Sequence, residues 1–286
     1  MTRYLIINAD DFGVCHATNE AVEQIFNDGV ISSATIMTPC PSFTDAAERT
    51  KANPKIQVGL HITTTAEYTR KWGSIANNVP SIVDENGFMY PTVAEFANNA
   101  TSAEVATEIE AQYQLLLQNG IAPTHADSHM GSLYGLSGPS FMKEALEFCA
   151  RHKLPFRFPK EISSVKRNMG IAEIPTQLAE AHAQVVAYAN ILGVNLIDHL
   201  LTSTVPYSEI TSYEKLRQIY FDIISNLPEG ISEIFMHPAL ADSVFAKGNH
   251  KWQARVWEYE LLLNDSFKRH LEDEGVSLVS YKTAPF

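Results

Sequence analysis

The apolar run Tyr4-Leu-Ile-Ile-Asn-Ala9 is followed at once by two adjacent aspartates, Asp10 and Asp11. The run has the nearly continuous hydrophobicity of a strand that is buried on both faces of a parallel sheet. Charged side chains are rarely buried without a partner, so two carboxylates at the end of such a strand require a metal, a proton or a helix terminus to stabilise them. This stretch therefore predicts an α/β fold and the position of its functional site.

Short apolar runs of the same kind alternate with longer amphipathic stretches along the whole chain. Alternating strands and helices predict parallel strands, and about seven or eight such units in one chain favour a barrel over an open sheet. The predicted strands are Tyr4–Ala9, Ser33–Met37, Ile56–His61, Thr124–Asp127, Phe156–Phe158, Leu196–Asp198, Glu233–His237 and Val276–Ser280.

Capping sequences mark several predicted helices. Thr101-Ser-Ala-Glu104 and Thr211-Ser-Tyr-Glu214 match the capping box, and Asn264–Glu274 is predicted to be a helix that Gly275 ends. The segment from Ala66 to Thr92 is the least regular part of the sequence. A loop of that length in a compact domain is commonly functional, and we expect it to form a lid or a substrate wall.

The composition limits the possible partners. The net charge of −12 argues against nucleic acid, whose phosphates would be repelled. No run approaches the roughly 20 apolar residues of a membrane span, and no secretory signal is evident. The three cysteines are widely spaced and form no CxxC pair. We therefore expect a reduced, cytoplasmic protein that binds neither nucleic acid nor a membrane.

Ionisable side chains recur where the predicted strands end. In a parallel barrel these ends open on one mouth, which is where such folds place their active sites. One carboxylate with two imidazoles is a set that binds a divalent transition metal, and a further aspartate and histidine could serve as general base and general acid. Such an inventory suits hydrolysis of an amide or ester. The residues are Asp10, Asp11, His61, His125, Asp127, His129, Asp198, His199 and His237.

Four motifs together resemble the YdjC-like carbohydrate deacetylases, whose best-known members remove acetyl groups from chitooligosaccharides. The motifs are Asn8-Ala-Asp-Asp-Phe-Gly13, Gly59-Leu-His61, Thr124-His-Ala-Asp-Ser-His129 and Met236-His-Pro238. The resemblance implies one deacetylase domain over residues 1–286. It also implies a deformed (β/α) barrel of about seven parallel strands, related to the polysaccharide deacetylases of the NodB type. After His129 the chain departs from the family pattern, because Met130-Gly-Ser-Leu-Tyr134 stands where further histidines are expected.

The resemblance also implies roles for individual residues. Asp11, His61 and His125 are expected to bind one divalent metal ion, Mg²⁺ or Zn²⁺. Asp10 corresponds to the general base and His237 to the general acid, although the roles of Asp10 and Asp11 could be exchanged. The implied substrate is a small N-acetylated mono- or oligosaccharide. A homodimer is left open.

Further residues are expected around this centre. Asp127 is predicted to orient a ligand histidine, and His129 is predicted either to support the site from outside or to be a ligand itself. Arg157 corresponds to a family arginine that faces the pocket, with a surface salt bridge as the alternative. Arg255 is expected to pair with Glu258 or Glu260 along a helix. The candidates for stacking on a sugar, with simple packing as the alternative, are Tyr68, Trp72 and Tyr134.

Two other functions fit the same residues. A metal-dependent phosphoesterase also uses aspartates and histidines at a barrel mouth, but it normally needs a second metal, and the sequence has no obvious basic cluster for phosphate. A non-catalytic sugar-binding protein would keep the fold and lose the reactive groups. Because both aspartates and the histidines are present, the sequence favours an enzyme.

Overall fold

The computed structural model describes residues 2–67, 69–242 and 251–286. A sheet of nine strands forms its centre, and every pairing in it is parallel. The strands are β1 (Arg3–Phe12), β2 (Ser33–Ile36), β3 (Val58–Ile62), β4 (Ala126–Ser128), β5 (Phe156–Pro159), β6 (Leu196–Ile197), β7 (His199–Leu201), β8 (Gly230–Met236) and β9 (Ser277–Leu278).

The order of the strands closes the sheet into a barrel. It runs β6-β5-β4-β3-β2-β1-β8-β7, with β9 beside β1. Only Asp198 separates β6 from β7, so one interrupted strand pairs with β5 in its first half and with β8 in its second. Counting β6 and β7 together gives the seven-stranded parallel barrel that the sequence predicts.

Helices surround the barrel and bury its outer face. Apolar side chains from β1 to β6 pack against the helices that follow them, and a second cluster joins β1 and β8 to the last helices of the chain. Within the described residues the α-helices are α1 (His16–Asp28), α2 (Phe43–Ala52), α3 (Val93–Asn99), α4 (Ser102–Gln118), α5 (Met142–His152), α6 (Ile162–Asn168), α7 (Thr176–Leu192), α8 (Tyr213–Ser225), α9 (Trp252–Leu262) and α10 (Asp265–Asp273).

The predicted helix starts are confirmed, with differences in the caps. Asn264 caps α10 by accepting from the N–H of Ser266. At α8 the cap is Ser212, one residue later than predicted, and it accepts from the N–H of Lys215. Glu104 does not close a capping box, because its carboxylate binds the N–H and hydroxyl of Ser81 in the long loop.

Two predicted rim residues lie away from the barrel mouth. Asp198 accepts from the N–H of Ile231 at 2.7 Å and pairs with Lys160 at 2.6 Å. The His199 imidazole contacts the carbonyl of Glu229, which precedes β8. Since the N-terminal end of a parallel strand is opposite the mouth, both residues support the barrel floor. Among the described helices, none has the length and hydrophobicity that crossing a membrane requires.

Candidate active site

Alternate residues around β4 point into the barrel at increasing height. His125, Asp127 and His129 are two residues apart, and side chains at that spacing face the same side of a strand. The register pairs Asp127 with His61 on β3. With a rise of about 3.3 Å per residue, His129 lies at the mouth and His125 lies far below it.

Three donor atoms converge at the mouth. Asp11 Oδ1 lies 3.4 Å from His61 Nε2 and 3.2 Å from His129 Nδ1, and the two imidazole nitrogens are 3.3 Å apart. All three side chains are buried. Asp11 has a positive φ of 63° and Met130, beside His129, one of 53°. Left-handed backbone is uncommon outside glycine and clusters at functional sites, and here it turns two donor-bearing segments into the mouth.

A second group of side chains orients His61. Its Nδ1 lies 2.6 Å from Asp127 Oδ1, which leaves Nε2 directed at the mouth, and Thr35 donates to the other oxygen of Asp127 at 2.9 Å. Burial alone would lower the pKa of His61, but Asp127, Asp11 and Asp10 outweigh it and raise that pKa to about 10. Asp127 therefore lies where the sequence predicted a residue that orients a histidine.

The structure corrects the predicted position of His125. His125 belongs to neither group of possible metal donors among the described residues, and His129 takes its place beside Asp11 and His61. The His125 ring lies deeper in the barrel, stacked on Tyr281 with 3.6 Å between ring centroids and 9° between planes. A Cβ at position 59 would overlap this ring, so Gly59 leaves the space that His125 fills.

Asp10 is held by a buried arginine. Arg157 donates from Nη1 and Nη2 to the two Asp10 oxygens, each at 2.7 Å, and Asn8 adds a bond of 2.8 Å. Burial would raise the pKa of Asp10, but the Arg157 ion pair outweighs it and lowers that pKa to about 2. Asp10 is therefore ionised at neutral pH.

A second group of possible metal donors consists of Asp10, His61 and Asp127. Arg157 contacts both of its aspartates. Its Nη1 lies 2.8 Å from Asp127, and its Nε donates to Glu233 at 2.7 Å. Arg157 lines the cavity, as the sequence predicts. Its donors are directed at carboxylates of the protein, so its contacts in this structure are positioning contacts.

Arg255 on α9 pairs with Asp11. The sequence predicts Glu258 or Glu260 as its partner, and that prediction is wrong. The Nη2 of Arg255 donates to Asp11 Oδ2 at 2.7 Å. Burial would raise the pKa of Asp11, but Arg255 and the two imidazoles hold that pKa well below its usual range. The ion pair occupies one oxygen of Asp11 and leaves Oδ1 facing the histidines.

His237 follows β8 and lines the same cavity as Asp10 and Asp11. Its backbone N–H donates to Glu258 at 2.7 Å, and the same carboxylate accepts from the hydroxyls of Tyr207 and Tyr220. Burial lowers the pKa of His237, and the nearby Asp11 opposes this shift only in part.

The cavity above these groups has a volume of about 1390 Å³. Tyr134 is in its wall, and its hydroxyl donates to the carbonyl of Arg157 at 3.0 Å. Trp72 is 4% exposed and is not in the wall, since it packs edge-on to His129 and donates to the Thr65 carbonyl. The prediction that Trp72 stacks on a sugar is therefore wrong for this structure, and Tyr68 lies outside the described residues.

Comparison with known proteins identifies the family. The model of the YdjC-like protein family matches residues 4–273. The chain belongs to the YdjC-like family. It is 27% identical to a carbohydrate deacetylase of Geobacillus stearothermophilus, over 99% of this chain and 98% of that protein. It is 26% identical to a chitooligosaccharide deacetylase of Yersinia enterocolitica, over 98% and 99% of the two chains.

A solved structure shares the architecture of this YdjC-like chain. It is the crystal structure of a candidate cellobiose-phosphate cleavage protein from Enterococcus faecalis V583. The TM-score is 0.78 at 26% identity, and the alignment covers 99% of this chain and 98% of the other. The similarity extends over the whole barrel.

Four buried residues of the YdjC-like site were not assigned to it from the sequence. Glu233 interrupts an apolar strand, and Arg255 and Glu258 lie on the inner face of α9. Tyr281 lies near the end of the chain and donates its hydroxyl to Glu233. A charged residue inside an apolar strand was the available signal, because buried charges need partners.

Proposed function

We propose that this chain is a metal-dependent carbohydrate deacetylase that removes the acetyl group from a small N-acetylated mono- or oligosaccharide. The observation that carries the proposal is the triangle of Asp11 Oδ1, His61 Nε2 and His129 Nδ1, with sides of 3.2 to 3.4 Å. Asp10 and His237 line the same cavity. The deacetylase names of its relatives support the same reaction.

The triangle fits a divalent metal ion. Metal–ligand bonds of about 2.0–2.1 Å at tetrahedral angles separate neighbouring ligands by about 3.3–3.4 Å. Asp11 Oδ1 has no hydrogen bond within the described residues. The buried carboxylates of the site (Asp10, Asp11, Asp127, Glu233 and Glu258) outnumber its two buried guanidinium groups (Arg157 and Arg255), and a bound cation would compensate part of that difference.

Two imidazoles and one carboxylate favour a transition ion such as Zn²⁺ over Mg²⁺, which prefers oxygen ligands. A bound ion would supply Lewis-acid chemistry at the acetyl carbonyl and acidify a water molecule. Asp127 keeps the His61 ring in the orientation that such a site needs.

The proton transfers are proposed for the chain's own residues. Asp10, ionised and held by Asn8 and Arg157, accepts a proton from the attacking water as its oxygen bonds to the acetyl carbon. The C–N bond then breaks as the leaving nitrogen takes a proton from the imidazolium form of His237, which its lowered pKa makes the stronger acid. The products are acetate and the free amino sugar.

The phosphoesterase alternative finds no support at this site. A two-metal mechanism needs a second cation beside the first. The second group of donors is Asp10, His61 and Asp127, and Arg157 is bound to both of its aspartates. The guanidinium already supplies the positive charge there.

The direct test is acetate release from a panel of N-acetylated mono- and oligosaccharides. We expect activity that chelator abolishes and Zn²⁺ restores, with one ion bound per chain. Asp10→Asn should retain the metal and lose a factor of about 10²–10⁴ in kcat. Asp45→Asn, a change of the same kind outside the cavity, is the matched control.

Two results would contradict the proposal. The first is a panel that gives no metal-dependent acetate. The second is unchanged turnover in Asp10→Asn, which would remove Asp10 from the reaction. Binding of two ions with release of phosphate would instead favour the phosphoesterase.

A further inference from the structure

A chain of buried contacts extends from Asp10 to the floor of the barrel. Asp10 is bound by Arg157, the Nε of Arg157 donates to Glu233 at 2.7 Å, and Glu233 accepts the hydroxyl of Tyr281. Glu233 is fully buried and Tyr281 is 4% exposed. We call Arg157, Glu233 and Tyr281 the support column.

Tyr281, the last residue of the support column, packs against His125 near the barrel floor. The Tyr281 ring is stacked on His125 with centroids 3.6 Å apart, and the Nδ1 of His125 lies 2.8 Å from the hydroxyl of Thr124. Gly59 leaves room for the imidazole. Burial lowers the pKa of His125 well below its usual value, so the ring stacks as a neutral group. Gly59 and His125 therefore support the position of the Tyr281 ring.

We propose that Glu233 and Tyr281 are positioning residues that hold the Arg157 guanidinium against Asp10. The inference rests on the proposed role of Asp10 as the general base. Neither residue lines the cavity or belongs to the donor triangle.

The need for the support column follows from the position of Arg157 between several carboxylates. The Nη1 of this arginine lies 2.7 Å from Asp10 and 2.8 Å from Asp127, so carboxylates attract the guanidinium from two directions. A planar guanidinium binds a carboxylate through two parallel bonds only in one orientation. Glu233 Oε1 lies 2.7 Å from both Nε and Nη2 and fixes that orientation along the adjacent edge of the guanidinium. Without it, rotation toward Asp127 costs Asp10 its two parallel bonds.

Tyr281 fixes Glu233 in turn. One Glu233 oxygen accepts from Arg157 and the other from the Tyr281 hydroxyl, so both oxygens of the carboxylate are engaged. The stacked ring of Tyr281 cannot move without disturbing His125. The orientation of Asp10 at the mouth thus depends on a residue near the end of the chain.

The test uses Glu233→Gln and Tyr281→Phe in the full-length protein. We expect Glu233→Gln to lower kcat by about 10–100-fold, as losses of outer contacts do, with KM within about twofold of wild type. Tyr281→Phe keeps the stacked ring and removes one hydrogen bond, so its loss should be smaller, about 3–10-fold. Zn²⁺ affinity should not change in either variant.

A double-variant cycle separates positioning from general damage. Because Tyr281 acts through Glu233, the double variant should be no worse than Glu233→Gln alone. Tyr213→Phe, which also loses a hydroxyl contact, with Asn264 at 3.1 Å, is the control outside the cavity and should match wild type. Losses that multiply, or single variants within twofold of wild type, would overturn the inference.

A readout independent of activity keeps the inference testable if the proposed reaction is wrong. In a crystal structure of Glu233→Ala we expect the Arg157 guanidinium to have lost its two parallel bonds to Asp10. If both bonds remain, the support column does not position Arg157. Absence of acetate release by the wild type would count against the proposed function alone.

Discussion

Arg255 Nη2 donates to Asp11 Oδ2 at 2.7 Å, across a sequence separation of 244 residues. The pair joins α9 to the end of β1 and is buried on both sides. Arg255 compensates one oxygen of Asp11, while the other faces the two histidines. The last part of the barrel therefore completes a site that the first strand begins.

This ion pair predicts a large loss of stability in Arg255→Leu. Removing one partner leaves the other charge buried, which costs about 3–5 kcal/mol in the free energy of unfolding. Zn²⁺ should restore part of that loss, because a bound cation compensates Asp11. Chemical unfolding with and without Zn²⁺ measures both effects. Arg49→Leu removes more exposed pairs with Glu23 and Asp45 and should cost about 1–2 kcal/mol. Equal losses in the two variants would contradict the prediction.

The assignment of the third donor predicts opposite behaviour for two neighbouring histidines. His129→Gln should weaken Zn²⁺ binding by more than about 100-fold, beyond what loss of an outer contact costs. His125→Gln should leave the affinity within a few-fold of wild type, because its ring is in the barrel floor. Metal titration of both variants decides between them. Loss of binding in His125→Gln with retention in His129→Gln would restore the ligand set expected from the sequence.

The raised pKa of His61 predicts that metal binding releases a proton. With a pKa of about 10, His61 is protonated at neutral pH in the metal-free protein, whereas a ligand nitrogen must be unprotonated. Raising the pH therefore removes a competing proton, and Zn²⁺ affinity should rise about tenfold per pH unit up to that pKa. Calorimetry in buffers of different ionisation enthalpy counts the protons released. Affinity that is independent of pH between 6 and 9 would show that His61 is already neutral.

The close approach of Gly59 to His125 predicts that one added methyl group lowers the free energy of unfolding. It also predicts that removing the His125 ring relieves that cost. Gly59→Ala places a Cβ inside the space of the imidazole, and overpacking of this kind typically costs about 1–3 kcal/mol. In a His125→Ala background the same change should cost much less, since the ring is gone. Unfolding free energies of the two single variants and the double variant test this. Additive costs would mean that the methyl group meets something other than His125.

The sequence by itself indicated the parallel barrel and most of its mouth. The apolar run before Asp10, the alternation of strands with helices and the capping residues are local signals, and the eight predicted strands correspond to strands of the structure. Asp10, Asp11, His61 and His237 lie at the C-terminal ends of such strands, and parallel strands bring these ends together. Their shared cavity could therefore be predicted without coordinates.

Only the tertiary structure decided which side chains lie within contact distance of one another. His125 and His129 belong to one sequence motif, but the three residues of β4 between them separate the two side chains in depth, and the turn at Met130 follows His129 at the mouth. Arg255, Glu233 and Tyr281 acquire their roles from partners on distant elements. Backbone patterns report local conformation and the face of a strand, whereas the pairing of buried charges depends on strand register and on how the barrel closes.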